Sequence, residues 1–392
     1  MHIGVFFGSG SVEHDISIIT ANLVINGLKS LNHSVTPVYI TKQGKWMLGE
    51  ELGDLKLFSD PAKKVEDQKK YSEYYLDMQE SVGKMVFKKK GLMGKSVAID
   101  LAFPAMHGTL GEDGTLQGLF EMFRLPYVGC GVAASAVAMD KALTKIVMQY
   151  AGVRTTKFKV LFKNDWEKDS ELEKSKVREL VFPVFVKPVH LGSSIGIGKA
   201  KDEKELEQKI EVAFFYDHKI VVEEAVENLM DVTCCVIGNN ETDTQASNLQ
   251  ESVYTQDMFN FEDKYITDGG SQTGKAQNKM VIPARLNSEL TKKIQDTAKV
   301  VYKAVECTGI ARVDFLVNTK TNEFFANEIN PMPGTLYHHL WKASSVELPD
   351  LLTNLINFSQ EQYKEKQSVN FTFESSVLKG LGGSKGKLGK LG

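Results

Sequence analysis

Two short segments constrain this chain more than any other: Arg312-Val313-Asp314 and Glu328-Ile329-Asn330. Each places two polar side chains two positions apart beside apolar Val313, Phe315, Leu316 and Ile329, and such residues share a face of a strand. Between them, Asn318-Thr319-Lys320-Thr321-Asn322 has the chemistry of a turn. Folding about that turn brings Asp314 to Glu328 and Arg312 to Asn330 on one face of a hairpin. Two hard carboxylates and an amide oxygen gathered in this way suit Mg²⁺ that is also held by substrate phosphates. Surface ion pairing accounts for any one of these residues. It does not account for all of them on otherwise apolar strands.

A chain of 392 residues exceeds one ordinary core, so two or three packed domains are expected. Hydrophobic residues at 42% and charged residues at 25% are the composition of a soluble globular protein. A net charge of -3 gives no electrostatic reason to expect nucleic acid or an acidic membrane as partner. The opening MHIGVFFGSG reads as a strand without the long apolar region of a signal peptide, and no run approaches the roughly 18 apolar residues of a membrane span. A cytoplasmic protein is expected. Cys130, Cys234, Cys235 and Cys307 form no C-x-x-C pair, and reduced thiols in a core are the expectation.

Strand–helix alternation opens the chain: a strand at Ile3–Phe7, the loop Gly8–Ser11, a helix through Ile16, Ile19, Leu23 and Ile25, then strands at Ser34–Ile40 and Ala98–Phe103. This order predicts a parallel α/β sheet. Lys63–Lys90 is charged and weakly periodic, and reads as a surface insertion. A helix is expected over Ala133–Tyr150, a strand over Val181–Lys187, a helix over Glu203–Phe215, a strand over Lys219–Glu223 and another over Val232–Ile237. The hairpin and a helix at Leu348–Phe358 follow, and the polar stretch from Ser359, rich in Gly and Lys after Leu378, is expected to be a mobile tail.

The loop Lys187-Pro-Val-His-Leu-Gly-Ser-Ser-Ile-Gly196 can aim backbone N–H groups at an anion, with Ser193 and Ser194 as hydroxyl donors and Lys187 as a point charge. It lacks the order of a P-loop, and a plain Gly/Ser turn remains open for it. Glu13, at the start of the first helix, suits either the helix dipole or a substrate ammonium group.

With Gly8–Ser17, His107–Gly114, Met139-Asp140-Lys141, Lys187–Gly196, Lys264-Tyr265, Arg312–Phe315 and Asn327–Gly334 in this order, the chain from residue 1 to 358 resembles the D-alanine–D-alanine ligase family. The resemblance implies a three-domain ATP-grasp fold: an N-terminal parallel α/β domain (1–129), and nucleotide held between two α+β subdomains (130–223 and 224–358), with 359–392 as a tail. It implies that ATP phosphorylates the carboxylate of one D-alanine and that the amine of a second attacks the acyl phosphate. It also implies a cytoplasmic homodimer that acts on small D-amino acids for peptidoglycan synthesis.

Residue by residue, Asp314, Glu328 and Asn330 match the ligands of two Mg²⁺ ions, for which Mn²⁺ can substitute. Lys141 and Lys187 match the lysines on ATP phosphates, and Lys264 a third basic residue in a mobile lid. Glu223 and Val226, with Glu224 between them, match the hinge that receives adenine; Asp231 stands where the family usually has a glutamate for the ribose. Arg312 and the Gly334 N–H match donors to the developing oxyanion. Glu13 matches the residue on the first substrate's ammonium, and Ser193 and Tyr265 its hydrogen-bonded partners. His107 is placed near the first substrate, the alternative being a loop histidine satisfied by backbone.

Gly334–Trp341 departs from the family's Ser-rich sequence, and this segment forms the pocket for the second substrate. His339 falls where a serine commonly contacts that substrate's carboxylate, followed by Leu340. A histidine there can be cationic and grip the carboxylate, or it can face away and leave the binding to a backbone N–H. Lys264-Tyr265 disfavours a D-lactate-using enzyme, because those relatives lack the tyrosine. A D-alanine–D-serine ligase, an ATP-binding regulator without ligase activity and a Rossmann-type oxidoreductase are the competing readings.

Overall fold

The computed structural model describes residues 1–59, 65, 71–91, 94–239, 244–253, 279–370 and 372–375. Alternating apolar stretches and turn residues build three sheets among them, of seven, four and five strands.

The first sheet contains β1 (His2–Gly8), β2 (Ser34–Ile40), β3 (Trp46–Leu48), β4 (Glu73–Leu76), β5 (Met85–Lys89), β6 (Ser96–Ile99) and β7 (Leu101–Pro104), in the order β6-β5-β4-β3-β2-β1-β7. β1, next to the edge strand β7, is parallel to β2 and β7 and is joined to β2 through the helix His14–Ser30, as strand–helix alternation predicts. The remaining pairs are antiparallel. Two readings are corrected here. Ala98–Phe103 is two strands, β6 and β7, and the stretch read as a surface insertion supplies β4 and β5, with Met85, Val86 and Phe87 buried. Lys84 on one side and Lys88, Lys89 and Lys90 on the other mask the apolar triplet in the sequence.

The second sheet is antiparallel: β8 (Phe158–Phe162), β9 (Val184–Pro188), β10 (Gly198–Ala200) and β11 (Lys219–Glu224), in the order β10-β9-β11-β8. The helix Glu203–Tyr216 packs over it, with Leu206, Ile210, Ala213 and Phe214 inward at helical spacing. The third sheet, order β14-β13-β12-β15-β16, contains β12 (Leu229–Gly238), β13 (Gln245–Val253), β14 (Lys279–Val281), β15 (Gly309–Asn318) and β16 (Phe324–Asn330).

The helix expected over Ala133–Tyr150 is broken: Val132–Met139 and Lys141–Tyr150 meet at Asp140, whose carboxylate caps the N–H groups of Ala142 and Leu143. Residues Cys130 to Val153, assigned from sequence to the central subdomain, share their core with the five-stranded sheet. The final helix runs from Leu348 to Ser368, ten residues past Phe358, with Ser359 buried, so the polar tail begins later than its composition suggests. All four cysteines are free and buried. Among the described residues no helix is long and apolar enough to cross a membrane.

Candidate active site

The hairpin of β15 and β16 has the expected register, with Asp314 opposite Glu328 and Arg312 opposite Asn330. The Arg312 guanidinium forks onto Asp314, Nε to Oδ1 at 2.9 Å and Nη2 to Oδ2 at 2.7 Å. Thr233, the residue of β12 paired with Asp314, donates its hydroxyl to Asp314 Oδ1 at 2.9 Å. Asn330 Nδ2 lies 3.3 Å from Asp314 Oδ2. The Glu328 carboxylate faces Lys141 Nζ at 3.9 Å and Arg312 at 4.0 Å. Hard oxygens from Asp314, Glu328, Asn330 and nearby Asn327, flanked by cations that would attract phosphate, fit a divalent ion such as Mg²⁺.

Across from this face stand β9 and β11. Lys187, at the end of β9, pairs with Val221, which puts it diagonal to Glu223 on the same face. Its ammonium contacts the Glu223 carboxylate and lies 3.3 Å from Asn327 Oδ1 on the other sheet. Glu223 is fully buried and also binds Lys145 Nζ at 2.6 Å and the Thr156 hydroxyl at 2.8 Å. Burial raises the Glu223 pKa, but the two ammonium groups outweigh it and hold the carboxyl well below its usual range. For Lys145 burial prevails and lowers the pKa despite Glu223. Sequence reasoning missed Lys145, although it lies one helical turn after Lys141 on one face. It also missed Thr233, whose alternation with the apolar residues of β12 carries the same signal as Asp314.

A cleft separates the two sheets. Lys141, Lys187, Ser193, Ser194, Glu223, Glu224, Val226, Asp231, Arg312, Asp314 and Glu328 line it. The Glu223 carboxylate is turned to the lysines, and Glu224 accepts the Val181 N–H at 2.9 Å. Lys264 and Tyr265 lie outside the described residues.

The Gly/Ser loop bends by left-handed Ser193 and Ser194, with φ of 60° and 59°. That bend presents the Ser193 hydroxyl, which donates to Glu13, a buried residue 180 positions away. A Cβ on Gly192 would lie 3.0 Å from both Glu13 carboxylate oxygens, and one on Gly108 would come within 2.8 Å of Glu13 Oε2, so glycine is what allows the approach on both sides.

His107 is buried, accepts or donates at Nε2 with the Thr20 hydroxyl (2.8 Å), and is pushed down to about 4 chiefly by burial, so the ring is neutral. Thr20 also receives the Thr335 N–H at 2.9 Å, which ties the first helix to the Gly334 loop. His339 is corrected as a cation: burial and the neighbouring His338 push it down to about 4, and its Nε2 bonds Gln250 Oε1 at 2.7 Å. The Leu340 side chain is fully buried in the core shared by β1 and the last helix, so only its backbone is available to a ligand. His107, His339, Leu340, Gly334 and Asn330 do not line the cleft.

Glu112 of the His107–Gly114 segment went unassigned from sequence. Its carboxylate accepts the N–H groups of Gly108 (2.6 Å) and Met332 (3.3 Å), while burial and the charge of Glu13 push its pKa up to about 8 from 4.5. The folded state therefore holds this proton more tightly than the unfolded chain. The associated stability is fully present below pH 4.5 and is lost as pH rises through 8. Glu112→Gln, which imitates the neutral form, should flatten the stability slope across that window in denaturant titrations. An unchanged slope would remove Glu112 as its source.

The family models described as D-ala D-ala ligase N-terminus and C-terminus match residues 2–130 and 147–357. The chain is 36% identical to the D-alanine--D-alanine ligase of Thermosipho melanesiensis over 379 residues, 97% of this chain and 98% of that one. It is 36% identical to the enzyme so named in Caldicellulosiruptor bescii, over 95% and 99%. Among solved structures it is similar to the D-alanine-D-alanine ligase from Coxiella burnetii (TM-score 0.77, 30% identity, 94% of this chain and 96% of that chain). It is similar to the VanG D-Ala:D-Ser ligase from Enterococcus faecalis as well (TM-score 0.76, 30% identity, 91% and 99%).

Proposed function

The chain belongs to the D-alanine–D-alanine ligase family, and on that premise we propose that it joins two D-alanines at the expense of ATP, supplying D-alanyl-D-alanine for peptidoglycan synthesis. The observation that carries this reading is the Ser193–Glu13 bond, which ties the phosphate loop to a buried carboxylate suited to a substrate ammonium. An ATP-binding regulator has no use for that contact. A Rossmann-type oxidoreductase has no use for the Asp314–Glu328 face.

Adenine rests against Glu224 to Val226 at the end of β11, with Asp231 at the ribose and Glu223 anchored beneath by its lysines. Lys141, Lys187 and the loop around Ser194 hold the phosphates, and Lys264 closes over them. Two divalent ions, Mg²⁺ with Mn²⁺ able to substitute, held by Asp314, Glu328 and Asn330, supply charge neutralisation at the phosphates.

Glu13 orients the first D-alanine, with His107 behind it, so that its carboxylate oxygen takes the γ-phosphoryl group as ADP leaves. The amine of the second D-alanine attacks the acyl carbon, loses a proton, and phosphate departs. Arg312 and the Gly334 N–H face the oxyanion of the tetrahedral intermediate. Tyr265, with Ser193, shields the acyl phosphate from water. His339, as a neutral ring, and the backbone of Leu340 border the second substrate. The protein acts in the cytoplasm as a homodimer, with no nucleic-acid partner.

Phosphate release and product mass, measured with ATP and with D-Ala, D-Ser or D-lactate as second substrate, test this reading. D-Ala is expected to lead. A preference for D-Ser above about tenfold in kcat/KM, roughly 1.4 kcal/mol of transition-state binding, would overturn the D-Ala assignment. No release with any D-amino acid would favour the regulator.

Gly192→Ala should push its Cβ against the Glu13 carboxylate and displace either the loop or Glu13. Relief takes a shift of a few tenths of an ångström, so kcat/KM for the first D-alanine is expected to fall, by less than the about 10²-fold that a 1 Å misplacement costs. Gly118→Ala, whose Cβ meets nothing within 4 Å, is the matched control and should leave activity unchanged.

A further inference from the structure

Next to the phosphate loop, Asp217 gathers two imidazoles that ligation leaves unused. His190 Nδ1 lies 3.0 Å from Asp217 Oδ2, and His218 Nδ1 lies 3.3 Å from Asp217 Oδ1. The two rings are nearly parallel, 5.5 Å apart at 17°. Backbone N–H groups of His190 (2.8 Å) and Lys219 (3.2 Å) hold the Asp217 carboxylate in place. On its far side, His190 Nε2 faces Asp140 Oδ2 at 3.4 Å, and Asp140 is itself held by Lys219 Nζ at 2.6 Å. The prospective donor atoms of His190, Asp217 and His218 all lie within 4.8 Å of one another.

We propose that His190, Asp217 and His218 form a binding site for a borderline divalent transition metal, Zn²⁺ foremost, separate from the all-oxygen site of Asp314 and Glu328. Two imidazole nitrogens and one carboxylate oxygen suit Zn²⁺ and its neighbours, whereas Mg²⁺ prefers oxygen alone. Asp140 supplies what a ligating histidine needs on its other nitrogen: an acceptor that fixes the tautomer, leaves Nδ1 free to coordinate and raises its basicity. Three protein ligands leave the fourth position to water, as in open zinc sites.

A simple salt-bridged clasp would account for His190, set between two aspartates. It does not account for His218. That ring is 77% exposed, yet its Nδ1 turns toward the carboxylate that His190 already contacts. Because His190 sits in the loop that carries Ser193, an ion here ties that loop to the start of β11.

The full chain, freed of transition metals and kept in saturating Mg²⁺, is titrated with Zn²⁺ by calorimetry. Binding is the readout, so the result stands whether or not ligation is the reaction. One equivalent is expected to bind, and His218→Ala should weaken it at least about tenfold, roughly 1.4 kcal/mol. His218 is exposed enough that this variant keeps the fold. Glu328→Ala, which removes an oxygen ligand of the other site, should leave Zn²⁺ binding unchanged. Equal affinity in wild type and His218→Ala, loss of binding in Glu328→Ala, or no binding in any form would each overturn the proposal.

Discussion

Glu328→Ala is expected to reduce ligation by at least about 10²–10³-fold, the scale on which removal of one preorganised electrostatic contact acts. Its side chain is 20% exposed at the end of β16, so the substitution removes an oxygen donor without emptying a core position. Thermal unfolding should stay close to wild type while Mg²⁺ dependence changes. Asp314→Ala should lose as much activity and be less stable, because the buried Arg312 cation would then lose its bidentate partner. Near-normal turnover of Glu328→Ala with an unchanged Mg²⁺ profile would sink the metal assignment.

Lys145→Met is expected to damage stability and nucleotide binding together. Removing one partner from a buried ion pair typically costs about 3–5 kcal/mol, and the low end applies because Lys187 still neutralises Glu223. Of the two lysines, Lys187 alone would then neutralise Glu223, and it would be drawn away from the phosphates. The KM for ATP should rise well beyond that of either D-alanine. Adding Glu223→Gln removes the stranded charge, so the double variant should be less destabilised than the sum of the two single ones. A loss under about 1 kcal/mol with an unchanged KM for ATP would show that Lys145 neither supports the core nor positions Lys187.

What could be read from the sequence was whatever lies within a strand, a turn or a helix of its own residues. Arg312, Asp314, Glu328 and Asn330 announce a shared face because alternation is a local rule, but the pairing of Asp314 with Glu328 also takes a bulge between Asp314 and Phe315 that alternation does not give. The order of the motifs carried the family and hence the three-part fold. Local rules also left signals unused: Asp140 before Lys141 is an N-cap, and it marks the break in a helix read as continuous.

The tertiary structure decided which distant groups meet and what charge they carry there. No spacing relates Glu13 to Ser193, 180 residues apart, or Thr156 to Glu223, 67 apart; separate sheets and loops bring them together. Burial, which a sequence does not state, makes His107 and His339 neutral and keeps a proton on Glu112 near neutrality, because a charged form loses its hydration when enclosed. Chemistry types were therefore legible one residue at a time. Protonation states and long-range partners were not, since both depend on the low-dielectric surroundings that exist only after the three sheets have packed.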